Sequence, residues 1–460
     1  MAGVKSLRTL VNCVLMLVIT AVGLLSANGL QACPFCLSPP MTLVQEIATS
    51  DVVLIVELLK FEVIRSGRKQ IPLSTVRIRE FMQGAEFSAK YSQLQVGQAI
   101  TVRQEIAGAA GDLFLLFGSL PTSDSALRST FTNETNDSEN SAESDKKIVT
   151  ADLKVSDDTT RNIQRSSFIV PEFISWNTTT PVSGEAIRYL KAAPKQSLPK
   201  VQRLPFYISF LENPDPLLSI DAWAEFANST YEDVKLVKGQ FPREKLREWI
   251  ADPNMSPERL GLYGMMLGLC GVEEDAGFLQ LQIGPVLPAV KDKDEVQFFR
   301  YGTDGLMGGY LLLTGEKGLE FLEQTRLRDG VPAANIFAAV QAMQFVWSYE
   351  DALIPQSRMK LSMRRLLVND EMRILTIMNL ARWNDWECWP ELEQLFGNEQ
   401  VADHATRRAI VEFAEECRKA TSADSSRLEI ASAADTFLKQ AECEHPELFR
   451  GVNNADFRAE

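Results

Sequence analysis

The sequence predicts an α+β multidomain chain: a small N-terminal β-barrel followed by an all-α region of stacked helical hairpins. Three observations carry this reading. Between residues 41 and 118 the apolar residues alternate or run in short β-branched stretches. From about Pro205 onward they recur three and four apart. Between the two lies a long polar tract. The 460 residues, 45% of them hydrophobic, suffice for two or three domains and a large core.

The first 32 residues have the form of a signal peptide. Lys5 and Arg8 supply a short positive region, and residues 11–25 form a 15-residue apolar stretch, short for a membrane span. Small residues follow up to Ala32, so the expected mature chain starts at Cys33 and is exported, to a periplasm or the extracellular space. Leu30-Gln31-Ala32-Cys33 also resembles a relaxed lipobox; a membrane is expected as a partner only if Cys33 is lipidated.

The β-domain is expected over residues 33–195. Residues 41–49 could form a short helix. Residues 51–59 read as a buried strand, residues 74–81 as a half-exposed one, and Gly84 as a turn. Residues 97–105 alternate again, and 112–117 form a further apolar run. Four or five short strands with a helix suggest a small barrel. Residues 119–166 are rich in Ser, Thr, Asn, Asp and Glu, with nine acidic and six basic side chains. Such a tract buries too little apolar surface to offset its chain entropy, and a disordered acidic loop is expected. Its Asn133-Glu134-Thr135 and Asn136-Asp137-Ser138 match the glycosylation pattern, which matters only in a eukaryotic secretory route. A returning strand at 168–176 and a helix at 182–191, capped by Thr180 or Ser183, close the domain.

The helical domain is expected over residues 205–440, with a tail at 441–460. Helical spacing marks 220–226, 243–250, 257–269, 318–325, 333–347, 359–367, 371–381, 405–417 and 428–439. Residues 271–276 read as a break. Asn369-Asp370-Glu371 and Ala402-Asp403-His404 are similar acidic helix starts 33 residues apart, and Ala251-Asp252-Pro253 has the same form. This degenerate spacing suggests stacked hairpins, each burying one face on its neighbours. Gly302, Gly305, Gly308 and Gly309 do not have P-loop spacing; close helix packing explains them better.

These motifs reach a resemblance. The cysteine pair Cys33 and Cys36, the helix, Ser50-Asp51-Val52-Val53-Leu54-Ile55-Val56, the hairpin, Val76-Arg77-Ile78-Arg79-Glu80-Phe81 and Gly111-Asp112-Leu113-Phe114-Leu115-Leu116-Phe117 resemble the netrin-like domain, the OB-type barrel of the tissue inhibitors of metalloproteases. In that family a Cys-x-Cys opens the mature chain and chelates the target's zinc. Here the pair is one residue longer, Cys33-Pro34-Phe35-Cys36, and the family's barrel cysteines are missing. The same opening is similar to a group of exported bacterial proteins with a CPFC motif. The C-terminal half resembles HEAT-type repeats, which implies a binding surface.

The chemistry is sparse. A net charge of −14 and a pI near 4.9 argue against nucleic acid as a partner. The two histidines, His404 and His445, leave little for imidazole catalysis or a metal site. No catalytic residue, cofactor or metal is expected. Cys33 and Cys36 are the sharpest feature, open to four readings: a local disulfide or staple, a redox pair, a zinc half-site with Cys443 and His445, or a lipid anchor. Leu37 stands where a haem-binding motif needs histidine, which excludes c-type haem. Cys417 and Cys443 are candidates for a second disulfide. Trp383, Trp386 and Trp389 are either core or, if exposed, anchors for an interaction. The expected role is therefore a non-catalytic exported protein that binds a protein partner. The alternatives are an inhibitor-like module acting through Cys33 and a thiol-redox protein using Cys33 and Cys36.

Overall fold

The computed structural model describes residues 33–36, 39–66, 69–87, 94–119, 174–285, 299–398, 400–421 and 428–449. The expected signal segment, all but one residue of the acidic loop, and residues 450–460 lie outside them. Two compact units emerge. One holds residues 40–225; the other combines the described residues up to 39 with those from 226 onward. The α+β architecture is realised as a curled β half-barrel followed by helices.

In the first unit, α1 (Leu43–Thr49) is started by a capping box. The Thr42 hydroxyl accepts from the Gln45 amide, and the Gln45 side chain accepts from the Thr42 amide. The chain then enters β1 (Val52–Ser66), β2 (Lys69–Gln83), β3 (Ala99–Val102), β4 (Leu113–Ser119) and β5 (Ser175–Pro181). They form one antiparallel sheet in the order β3-β2-β1-β4-β5. Three strands run in sequence and the fourth returns beside the first, which is Greek-key connectivity, the plan of a partly open five-stranded barrel. Register shifts at Val53/Leu54, Ile55/Val56 and Leu58/Lys60 bend β1 and curl the sheet. Val52, Leu54, Val56, Leu58, Val76, Ile78, Ile100, Val102, Phe114 and Leu116 fill its concave side. Val53, Ile55, Leu115 and Phe117, pointing the other way, are buried too. That two-sided burial explains the continuous apolar runs of β1 and β4.

Beyond these paired segments β1 and β2 continue as a two-stranded ribbon. Pairing with β4 ends at Glu57 and pairing with β3 at Ser74, yet the β1–β2 ladder runs on to Ser66 and Lys69. The unit is completed by α2 (Gly184–Ala192), capped by the Ser183 hydroxyl, then α3 (Lys200–Ile208) and α4 (Pro216–Ala227) up to Glu225, the last two residues of α4 belonging to the second unit.

The second unit runs through α5 (Tyr231–Leu236), α6 (Arg243–Ala251), α7 (Pro257–Cys270), α8 (Glu273–Ile283), α9 (Thr303–Thr314), α10 (Glu316–Thr325), α11 (Ala333–Tyr349) and α12 (Gln356–Arg364). It ends with α13 (Arg373–Arg382), α14 (Trp389–Phe396), α15 (His404–Thr421) and α16 (Leu428–Glu444). The expected break at 271–276 is instead the start of α8. There Asp275 turns back to accept from the Val272 amide while holding Arg243 and Arg247. The expected tail also begins in structure: α16 reaches Glu444, and Leu448 is buried.

The glycines singled out in the sequence pack α7 against α9, backbone to backbone. A Cβ on Gly264 would lie 2.6 Å from the Leu306 nitrogen and 2.7 Å from the Gly305 carbonyl carbon. A Cβ on Gly268 would fall on Gly309, one on Gly305 on the backbone of Gly261, and one on Gly309 on the Gly264 carbonyl. Only hydrogen fits between these helices. Gly305→Ala is therefore expected to destabilise the protein by about 1–3 kcal/mol in chemical denaturation, the range for overpacking a close contact. Gly277→Ala in α8, where a Cβ would meet nothing within 4 Å, serves as the control. It should be neutral or stabilise by up to about 1 kcal/mol, because alanine suits a helix better than glycine.

Candidate functional site

Cys33 and Cys36 are joined by a disulfide, which closes a tight turn in which the Cys36 amide donates to the Cys33 carbonyl at 3.1 Å. The turn belongs to the helical unit. The Cys33 amide donates to the carbonyl of Ala227 at 3.1 Å, and both Cys33 and Phe35 are buried. The Phe35 ring lies 4.9 Å from that of Phe345 on α11, which in turn stands edge-on to Tyr231 at 5.0 Å. The Tyr231 hydroxyl donates to Glu350 at 2.6 Å. Glycine makes this seat as well. A Cβ on Gly308 would lie 2.5 Å from the Phe35 ring, and one on Gly261 3.1 Å from its carbonyl oxygen. The loop is thus a plug set into the α7–α9 pair, and its first cysteine presents neither a free thiol nor an unoccupied amide.

The other sequence candidates fall elsewhere. Trp383, Trp386 and Trp389 are 4%, 3% and 2% exposed, so none offers a surface to a partner. Trp383 stacks on Trp347 at 4.3 Å, Trp386 meets Phe413 at 5.2 Å, and Trp389 meets Phe437 at 4.9 Å. Their large apolar area joins α11, α13, α14, α15 and α16 rather than facing outward. The proposed Cys417–Cys443 bond is not formed: Cys417 is buried, Cys443 is exposed, and both are thiols. His404 opens α15 on the surface, beside Asp403, whose carboxylate accepts from the Thr406 amide at 2.7 Å and so caps the helix. Among the described residues no cluster of three or more His, Cys, Asp and Glu side chains is placed to hold a metal ion. Among the same residues no helix is long and apolar enough to cross a membrane.

One charged cluster was not singled out in the sequence. On α4, Asp221 and Glu225 stand one turn apart and are both buried. Asp221 accepts from the Tyr189 hydroxyl and from the Leu43 amide, each at 2.6 Å. Glu225 accepts from the Thr42 hydroxyl at 2.8 Å, from Arg203 at 2.6 and 2.7 Å, and from Lys200 at 3.1 Å. The two carboxylates therefore hold the start of α1 to α2, α3 and α4. The available signal was two acids spaced i, i+4 within an otherwise apolar helix. Burial pushes the Asp221 carboxyl up to about 6, against the opposing pull of the hydrogen bonds from Tyr189 and Leu43. The Tyr189 phenol is also raised, by burial and then by Asp221.

No protein-family model matches this chain, and no curated protein matches it either.

Two expected outcomes follow from this geometry. Phe35→Ala empties the glycine-walled seat and should cost about 3–5 kcal/mol in chemical denaturation, as for other buried aromatic truncations. Asp221 binds its proton more tightly folded than unfolded. Its stabilising contribution is thus complete below pH 4 and is lost as pH rises to about 6. Asp221→Asn should remove that slope, on the order of 3 kcal/mol between these limits. Denaturation curves of both proteins from pH 4 to 7 measure the difference.

Proposed function

We propose that this is an exported, non-catalytic protein that works by binding a protein partner, and that the β1–β2 ribbon is the surface it binds with. The observation that carries this reading is the ribbon itself. Phe61, Val63 and Ile64 are 41%, 48% and 36% exposed on strands that, beyond Leu58 and Ser74, pair only with each other among the described residues. A two-stranded ribbon is marginal in water on its own, and among the described residues nothing pairs with its two outer edges beyond Leu58 and Ser74. Apolar side chains beside an open edge suit a partner that adds a strand.

Export rests on the signal-like first 32 residues. In a finer reading the sheet is a netrin-like, OB-type barrel and the helices are HEAT-like repeats. Its support is the Greek-key strand order and the recurring capped helix starts, where Asn369 accepts from the Met372 amide and Asp403 from the Thr406 amide. Three further roles for Cys33 are weakened by its surroundings. Chelating a target's zinc requires a free terminal amine and thiol, lipidation requires the thiol, and redox exchange requires access to the sulfur. The disulfide and the Ala227 contact oppose the first two, and the burial of Cys33 opposes exchange at its own sulfur.

A photo-crosslinking residue placed at position 61 or 63 in the native host tests the proposal. A discrete adduct with a protein is expected there, absent when the residue stands at exposed Leu281. Phe61→Ser with Val63→Ser should abolish adduct formation from position 64 while changing stability by less than about 0.5 kcal/mol, as for surface substitutions. Equal adduct patterns at the ribbon and at position 281, or none at either, would refute it.

A further inference from the structure

Arg326, just after α10, is one of three arginines buried among the described residues, with 1% of its surface exposed. The other two hold carboxylates: Arg203 pairs with Glu225, and Arg373 with Asp370. Arg326 pairs with none among the described residues. Its Nη2 donates to the carbonyls of Ile283 at 3.1 Å and Gly284 at 2.7 Å, at the end of α8, while Nε and Nη1 have no acceptor. The negative end of a helix compensates part of a charge at most. A buried guanidinium left in this state is costly, and burial alone pushes its pKa down to about 10.

A cavity of about 590 Å³ lies against this group, within the size range of small-molecule sites. Its walls include Leu281, Pro285 and Phe321 on the apolar side and Gln280, Thr325 and Arg328 on the polar side. Arg328 is exposed, and among the described residues no acidic side chain lines the space. Among the described residues the cavity is thus lined by two arginines and no carboxylate, in a protein with a net charge of −14.

We propose that this cavity binds a small organic anion, a carboxylate or phosphate carried on an apolar body, with Arg326 as its counter-charge. The apolar body packs on Leu281 and Phe321, and Arg328 attracts the charge at the rim. The two unused donors of Arg326 are closed off from solvent, so the anion meets them when the guanidinium turns toward the cavity it lines. Nη2 is the one guanidinium nitrogen held by the main chain, through its two carbonyl acceptors.

Calorimetric titration of the chain from Cys33 onward with benzoate, phenyl phosphate and inorganic phosphate tests the site and its ligand class. At least one aromatic anion should bind with a Kd below roughly 10 mM and raise the thermal midpoint as its concentration increases. Inorganic phosphate should bind at least about tenfold more weakly, and benzyl alcohol should not bind. Arg326→Met should weaken the aromatic anion more than about tenfold while leaving the ligand-free midpoint unchanged or higher, since it removes an unpaired buried charge. A guanidinium that only caps α8 would instead lower that midpoint on removal and leave the titration blank. Leu281→Trp, at an exposed rim position and with Arg326 intact, should block binding. No aromatic anion binding to the unmodified chain, unchanged binding in either variant, or equal affinity for inorganic phosphate would overturn the proposal.

Discussion

The helical unit depends on one contact, the meeting of α7 and α9 at glycine. Side chains normally keep helices apart; here Gly261, Gly264 and Gly268 face Gly305 and Gly309, and the backbones themselves touch. Dispersion attraction is short-ranged, so this closeness lets many backbone atoms contribute at once. It also leaves a recess that Phe35 fills, with Gly308 and Gly261 as its walls. Neither the recess nor its occupant makes sense without the other. The disulfide, the Cys33–Ala227 bond and the Phe35–Phe345–Tyr231 aromatic chain all follow from that fit.

The first unit is organised differently. Its sheet is curled by irregularities in β1 and buried on both faces over its first half, so hydrophobic burial defines it. The exception is the Asp221–Glu225 cluster, where polar groups are taken out of water and satisfied by Tyr189, Arg203, Lys200 and the start of α1. A network of this sort ties specific segments together, because each partner must be in place or a buried charge is left unmet. Asp221 and Arg326 illustrate opposite outcomes of the same cost. Hydrogen bonds surround the first, and the second keeps donors to spare.

Much of the architecture was legible in the sequence. The switch from period two to period three and four divides strands from helices where it was expected, Ser183 caps its helix, and the Gly302–Gly309 cluster is a packing device. Two things were missed and one was left open, each for a physical reason. The start of α8 reads as a break because its first turn is all acidic, yet Arg243 and Arg247 neutralise Asp275 from α6. The ribbon beyond Leu59 lacks a core-facing pattern because neither of its faces is buried there. The tryptophans carry the same spacing whether they face a core or a partner, and only the neighbours Trp347, Phe413 and Phe437 decide it.

By itself, then, the sequence determined the class of fold, the order of the elements and the scarcity of histidine. These depend on local periodicity and composition, which are properties of short windows. Only the tertiary structure decided where the cysteine pair belongs, which acids are buried and which buried arginine meets no carboxylate among the described residues. Each of those turns on residues far apart in the chain: Cys33 on Ala227, Leu43 on Asp221, Arg326 on Gly284. Burial and pairing arise when distant segments close on one another, and no local pattern records them.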